Sequence, residues 1–189
     1  MRLPAILLTF ALFGCVPQKA GPTGTEVLLG PTLSGWTFVD RIPSTDGTTA
    51  RYLRYGETLE RWTQMVTATT SPLSSASSFK EFFIRVARGD EAACAVPGRY
   101  GEPSMLNRNY PTIVGRATCG RTRADGQGQI TMMILIEGSD AFYQVRHIWR
   151  VPAADDSNAL TLTKDMTNDG LLTIGTARVC DNSRPSRKC

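Results

Sequence analysis

The chain has 189 residues, of which 41 % are hydrophobic, with 21 lysines and arginines against 17 aspartates and glutamates for a formal charge of +4. That length and apolar share suit one ordinary globular core. A charge excess this mild is far below the dense basic footprint of a dedicated nucleic-acid binder and excludes nucleic acid as the expected partner.

Residues 1–14 carry one cation, Arg2, then an apolar run from Leu3 to Phe13 broken only by Pro4 and Thr9, and the small residue Gly14 directly before Cys15. The run is too short to span a hydrocarbon core of about 30 Å as a permanent helix. A small residue at the cut point is what a signal peptidase needs. The sequence Leu12-Phe13-Gly14-Cys15 resembles the lipobox of bacterial lipoproteins, with Phe13 bulkier than the family's usual residue. The resemblance implies cleavage before Cys15 and a diacylglyceryl group on its sulfur. Val16, rather than aspartate, follows the cysteine, which in that family implies transfer to the outer membrane, facing the periplasm. The alternatives are an ordinary secretory signal or a buried helix, but Val16 and Pro17 open a helix-breaking segment where a buried helix would continue.

Residues 15–34 read as the lipidated cysteine and a tether, with three prolines and three glycines in Val16 to Ser34 opposing regular structure. Residues 26–29 are left open as a short strand against the domain. The single domain is expected over residues 35–189. Residues 35–42 are aromatic and β-branched, end at Pro43 and the Asp46-Gly47 turn signal, and pair with residues 49–55 as a hairpin. Residues 58–61 are expected to make a helical turn leading into a strand over 62–70. Ser78 and Glu81 form a capping box, and Phe79, Phe82, Phe83 and Val86 share one face, so a helix over 78–88 ending at Gly89 is expected. The Gly, Pro and Asn-rich stretch 97–111 reads as a long loop. Three strands follow, 112–119, 129–137 and 141–151, joined by hairpin connections containing Asp125-Gly126 and Gly138-Ser139-Asp140. Residues 159–167 are compatible with a helix, Gly170 arguing against a long one, and 171–180 with its continuation or a last strand.

With Cys15 assigned to lipid, Cys94, Cys119, Cys180 and Cys189 remain. An even number in an exported chain points to two disulfides. Three pairings are possible, and nearness in sequence favours Cys94 with Cys119 and Cys180 with Cys189, the second tying down residues 181–188. A metal site is the rival reading, but no pair has C-x-x-C spacing and the only histidine is distant in sequence.

Catalytic signatures are weak. Alternation in the strand 142–151 puts His147 with Tyr143, Val145, Trp149 and Val151 on the apolar face, the position of a packed core histidine rather than a base. Ser77-Ser78-Phe79-Lys80 contains the S-x-x-K of penicillin-binding enzymes, but K-T-G and S-D-N are missing and capping explains the serine. Asp165, Asn168, Asp169 and Gly170 lack the spacing and closing glutamate of a calcium loop, so turn chemistry is the better account. No catalytic, cofactor or metal residue is assigned.

Residues 57–67, Glu-Thr-Leu-Glu-Arg-Trp-Thr-Gln-Met-Val-Thr, resemble a stretch of uncharacterised exported bacterial proteins. The likeness implies a small PsbP-like antiparallel domain and carries no active site. The expected fold is therefore α+β: an antiparallel sheet of five or six strands with one or two helices packed on one face. The expected function is a non-enzymatic envelope lipoprotein, bound to the membrane by its lipid and to an envelope protein by its domain. The alternatives are a carrier of a small ligand or lipid and a small hydrolase of cell-wall or lipid substrates. A carrier needs a large apolar cavity, an enzyme a polar pocket with converging titratable groups, and an interaction module an exposed apolar patch.

Overall fold

The computed structural model describes residues 25–30, 33–96, 98–181 and 183. The signal segment, Cys15, most of the tether and Cys189 lie outside the described residues. In chain order the strands and helices are β1 (Glu26–Leu29), β2 (Trp36–Ser44), β3 (Gly47–Arg54), β4 (Gln64–Pro72), α1 (Phe79–Ala93), β5 (Cys94–Val96), β6 (Arg99–Tyr100), β7 (Ser104–Asn107), β8 (Pro111–Cys119), β9 (Arg121–Thr122), β10 (Gly128–Glu137), β11 (Ala141–Val151), α2 (Lys164–Gly175) and β12 (Arg178–Asp181). The fold is α+β, built on an antiparallel sheet of eight strands in the order β2-β3-β4-β11-β10-β8-β6, with β7 also on β8. Two ribbons, β1-β12 and β5-β9, stand apart from it.

The core is organised by β10. Its sequence Ile130 to Ile136 does not alternate, and every one of these side chains is buried, which requires cover on both faces of the sheet. On one face Ile130, Met132, Ile134 and Ile136 join Val145 and Trp149 of β11, with Ile174 of α2 and Val179 of β12 packed above them. On the other, Leu135, Ile113 and Phe142 meet Phe79 and Phe82 of α1. The Phe82 and Phe142 rings stack at 4.6 Å. The two helices thus lie on opposite faces, and the single covered face expected from the sequence becomes two. Each fully buried Leu, Ile or Met here stabilises the fold by roughly 1.5–3 kcal/mol.

Three local readings change. The loop expected over 97–111 holds β6 and β7, which line the outer edge of β8 end to end and raise the strand count to eight. Without them the backbone groups of that edge would be unpaired. Helix α1 runs through Gly89 to Ala93, because Asp90 is drawn onto the sheet by Arg146, 2.5 Å away, and by the Tyr100 hydroxyl. Residues 58–61 form a tight turn, with Thr58 and Arg61 exchanging backbone hydrogen bonds, rather than a helical one.

Near the N-terminus the described residues begin at Thr25. Strand β1, inside the stretch read as tether, pairs with β12. The α1 cap forms with one change of partner: Ser78 Oγ accepts from Glu81 N at 3.2 Å, while the Glu81 carboxylate reaches back to Ser77 N at 2.8 Å. Cys94, where α1 gives way to β5, is bonded to Cys119 at the end of β8, across 25 residues of sequence.

Two stability measurements follow. Ser78→Ala is expected to lower unfolding stability by about 1 kcal/mol through loss of the cap, and an unchanged urea midpoint would refute that role. The Cys94→Ser/Cys119→Ser double variant is expected to lose about 3 kcal/mol, the chain-entropy value for a loop of this length, read from the same urea curves.

Candidate functional site

Helix α2 and the β1-β12 ribbon share one face of the sheet but do not cover all of it. Helix α2 sits close over β10 and β11 because Gly170 has no side chain: a Cβ there would come within 2.5 Å of Met132 Sδ and 2.7 Å of the Trp149 ring. The same glycine, with Asp165, Asn168 and Asp169, falls within the helix, so turn chemistry gives way to helix packing as the account of these residues.

A polar clamp joins α2 to the strands beneath it. Arg54 at the end of β3 donates to Asp169 Oδ2 at 2.7 Å and to Gln64 Oε1 at 2.9 Å. Because Gln64 Oε1 is the acceptor, His147 Nε2, 3.0 Å from it, carries the proton, and Nδ1 has no hydrogen-bond partner among the described residues. His147 is 0 % exposed, stacked on Trp149 at 3.9 Å and edge-on to Trp36 at 5.2 Å. Arg54 in turn lies over the Trp36 ring. Burial pushes the His147 pKa down to about 4; the Asp169 carboxylate opposes the shift and Arg54 adds to it. Walled by two indoles, this imidazole is a neutral wedge between α2 and β11 and cannot reach a substrate in solvent.

Beyond the clamp, toward the sheet edge formed by β2, the face is open. A groove of about 370 Å³ runs between β1 and strands β3 and β4. Its floor is flat because Ala50 and Ala68 are cross-strand partners, flanked by Tyr52 and Thr70, with Val27 and Leu28 as one wall and Arg41 at the opposite rim. Phe38, 51 % exposed, stands edge-on to Tyr52 at 5.6 Å, and Val27 on the other side is 45 % exposed. The groove's β1 wall is fixed by Glu26, whose carboxylate accepts from Ser139 N at 2.8 Å and Asp140 N at 2.9 Å, while Glu26 N donates to Asp140 Oδ2. Burial raises this carboxyl's pKa, but the backbone donors outweigh it and hold the group below the usual range.

The chain shares its fold with Mog1. A point mutant of the protein Mog1 overlays with a TM-score of 0.55 over 82 % of this chain and 92 % of Mog1, at 14 % identity. The Ran-binding protein Mog1p of Saccharomyces cerevisiae overlays with a TM-score of 0.51 over 84 % of this chain and 97 % of that one, also at 14 % identity. Neither a protein-family model nor a curated protein matches the sequence. At this identity the likeness to Mog1 is one of fold alone.

Of the residues singled out in the sequence, Cys94 and Cys119 come together beside α1, far from the groove. Cys180 is buried in β12 and disulfide-bonded; Cys15 and Cys189, and with them the Cys180–Cys189 pairing, lie outside the described residues. Ser77 donates to the Glu81 carboxylate at the helix end, and Lys80 is an exposed residue of the first turn. Sequence reasoning missed the clamp roles of Arg54 and Gln64 and the groove, and named Asp169 only in the calcium-loop and turn reading. Arg54 and Asp169 are 115 residues apart, so no local spacing links them. The visible trace was the pair of small residues Ala50 and Ala68 in otherwise bulky strands.

The buried histidine sets a pH window. Its folded pKa is about 4 against an ordinary 6.5, so protons bind the unfolded chain more readily. Its contribution is complete above pH 6.5 and is lost as pH falls from there to about 4, at up to about 1.4 kcal/mol per pH unit. The chain has a single histidine, so its imidazole NMR signal needs no assignment by mutation. It is expected to remain that of a neutral ring at pH 5, and a midpoint near 6.5 would overturn the clamp.

Proposed function

We propose that the protein is a non-enzymatic outer-membrane lipoprotein, anchored through Cys15 and facing the periplasm, whose domain holds an extended segment of an envelope protein in the groove between β1 and the β3-β4 face. The observation that carries this reading is the groove itself. It is an open stretch of sheet with a floor of small side chains, an exposed Val27 in its wall and an exposed Phe38 against the Tyr52 ring beside it, the form of a surface that binds another chain. An open groove favours a peptide segment over the enclosed cavity that a lipid carrier needs. The shielding of His147 supports the non-enzymatic reading over the hydrolase. A fold shared with a Ran-binding protein supports a role in protein binding, without naming the partner.

The anchor and the groove are tested separately. Cys15→Ser is expected to shift the protein out of the membrane fraction, since the multiple acyl chains of a lipoprotein give stable attachment and their loss leaves none; mature protein still in membranes would refute lipidation. A photo-crosslinking residue at Phe38 is expected to trap one envelope protein in cells, whereas the same residue at Ile84, on the exposed side of α1, is not. Ala68→Arg, which fills the groove floor, is expected to abolish that crosslink at unchanged melting temperature. An undiminished crosslink would remove the groove as the binding site.

A further inference from the structure

A second cleft, of about 360 Å³, lies at the opposite edge of the sheet, between β6 and β8 on one side and residues 157–162 on the other. It owes its existence to one residue out of pattern. Along β8 the positions on the α2 side of the sheet are Thr112, Val114, Arg116 and Thr118, and Arg116 is paired across the strands with the buried Met132. An arginine here leaves the core unclosed, and its own side chain is exposed.

That side chain is held in place. It lies across Gly101, where a Cβ would stand 2.6 Å from Arg116 Nε and 2.7 Å from its Cγ, and Gly101 N donates to Arg116 O at 3.0 Å. Arg51, Arg54, Arg121, Arg146 and Arg150 are each paired with an aspartate, whereas the Arg116 guanidinium has no hydrogen bond or ion pair among the described residues. Across the cleft Arg99 donates to Asn158 Oδ1, a neutral acceptor. The Asn158 carboxamide is oriented by donating to Asp156 Oδ1 at 2.7 Å. The cleft therefore presents a seated, unpaired guanidinium beside a second one, with the hydroxyls of Thr118 and Thr161 along it.

We propose that this cleft binds a small monoanionic carboxylate whose body carries hydroxyl or amide groups, of the sugar-acid class. A guanidinium fork matches a carboxylate in a bidentate manner, and the Thr118 and Thr161 hydroxyls suit a polyhydroxylated body whose apolar faces meet Leu160 and Leu162. Glu102 at the rim and Asp156 behind Asn158 oppose the double charge of a phosphate monoester. The cleft volume is near the lower end of the range for small-ligand sites. This site is independent of the groove and of the function proposed for it.

The test uses the chain carrying Cys15→Ser, which lacks the lipid anchor, titrated with D-glucuronate and followed by the backbone amide signals of Gly101, Thr118 and Asn158, with glucose and inorganic phosphate as comparators. Glucuronate is expected to give saturable shifts at these amides at millimolar concentration, glucose none, and phosphate weaker ones. Arg116→Gln is expected to weaken glucuronate binding tenfold or more. Gly101→Ala, which displaces the Arg116 stem without changing charge, is expected to do the same, and Ile84→Asp on the exposed side of α1 to leave binding unchanged. Absence of shifts with glucuronate, equal binding of glucose, tighter binding of phosphate, or full affinity in Arg116→Gln at unchanged melting temperature would each overturn the assignment.

Discussion

Strand β10 has no solvent side, and the need to bury it twice shapes the molecule. A strand whose residues all point into apolar surroundings must lie inside its sheet and carry a layer above and a layer below. The flanking β8 and β11 supply the hydrogen bonds, α1 supplies one layer, and α2 with β12 supplies the other. Removing either layer would expose a row of Ile, Met and Leu side chains together, so neither helix is an accessory.

The two layers are attached by different chemistry. Helix α1 is held by stacked phenylalanines at its start and by the Asp90, Arg146 and Tyr100 cluster near its end. Burial first, and the Asp90 charge next, push the Tyr100 hydroxyl pKa up, keeping it a proton donor to that carboxylate. Helix α2 is held by apolar contact at Gly170 and by the Arg54 and Asp169 pair, and it reaches only part of the sheet. The uncovered remainder is the groove on one side and the Arg116 cleft on the other. Both openings arise because a short helix and a short ribbon share the cover of a wide sheet.

Much of this was legible in the sequence. The hairpin signals at Asp46-Gly47 and Gly138-Ser139-Asp140, the alternation around His147 and the cap at Ser78 are local, and local signals place the main strands and α1 within a few residues. What escaped depends on contacts distant in the chain. Gly170 reads as a helix breaker until Met132 and Trp149 are seen against it, and Gly89 reads as a stop until Arg146 is seen to hold Asp90. Short strands such as β6 and β7 have no periodicity of their own and exist because β8 has an edge to satisfy. The double burial of β10 was present in its unbroken run of apolar residues, but a run of that kind says that cover is needed without saying which segments provide it. The clamp and both openings are assembled from residues on different elements, which no spacing rule connects.

The Glu26 contacts also give the fold a mechanical character. Thr25 Oγ1 donates to Asp181 Oδ1 at 2.7 Å, and the neighbouring Glu26 grips the turn between β10 and β11, so the chain enters the domain and leaves β12 at the same end. A pull on the N-terminal side along the strand axis loads β1 in shear against β12, with all its hydrogen bonds strained at once rather than one after another. The carboxylate of Glu26 lies at the point where the force arrives and passes part of it directly to the central hairpin. Strand β1 is thereby arranged to take tension applied at Thr25 along its axis without peeling, and the wall of the groove keeps its shape while it does so.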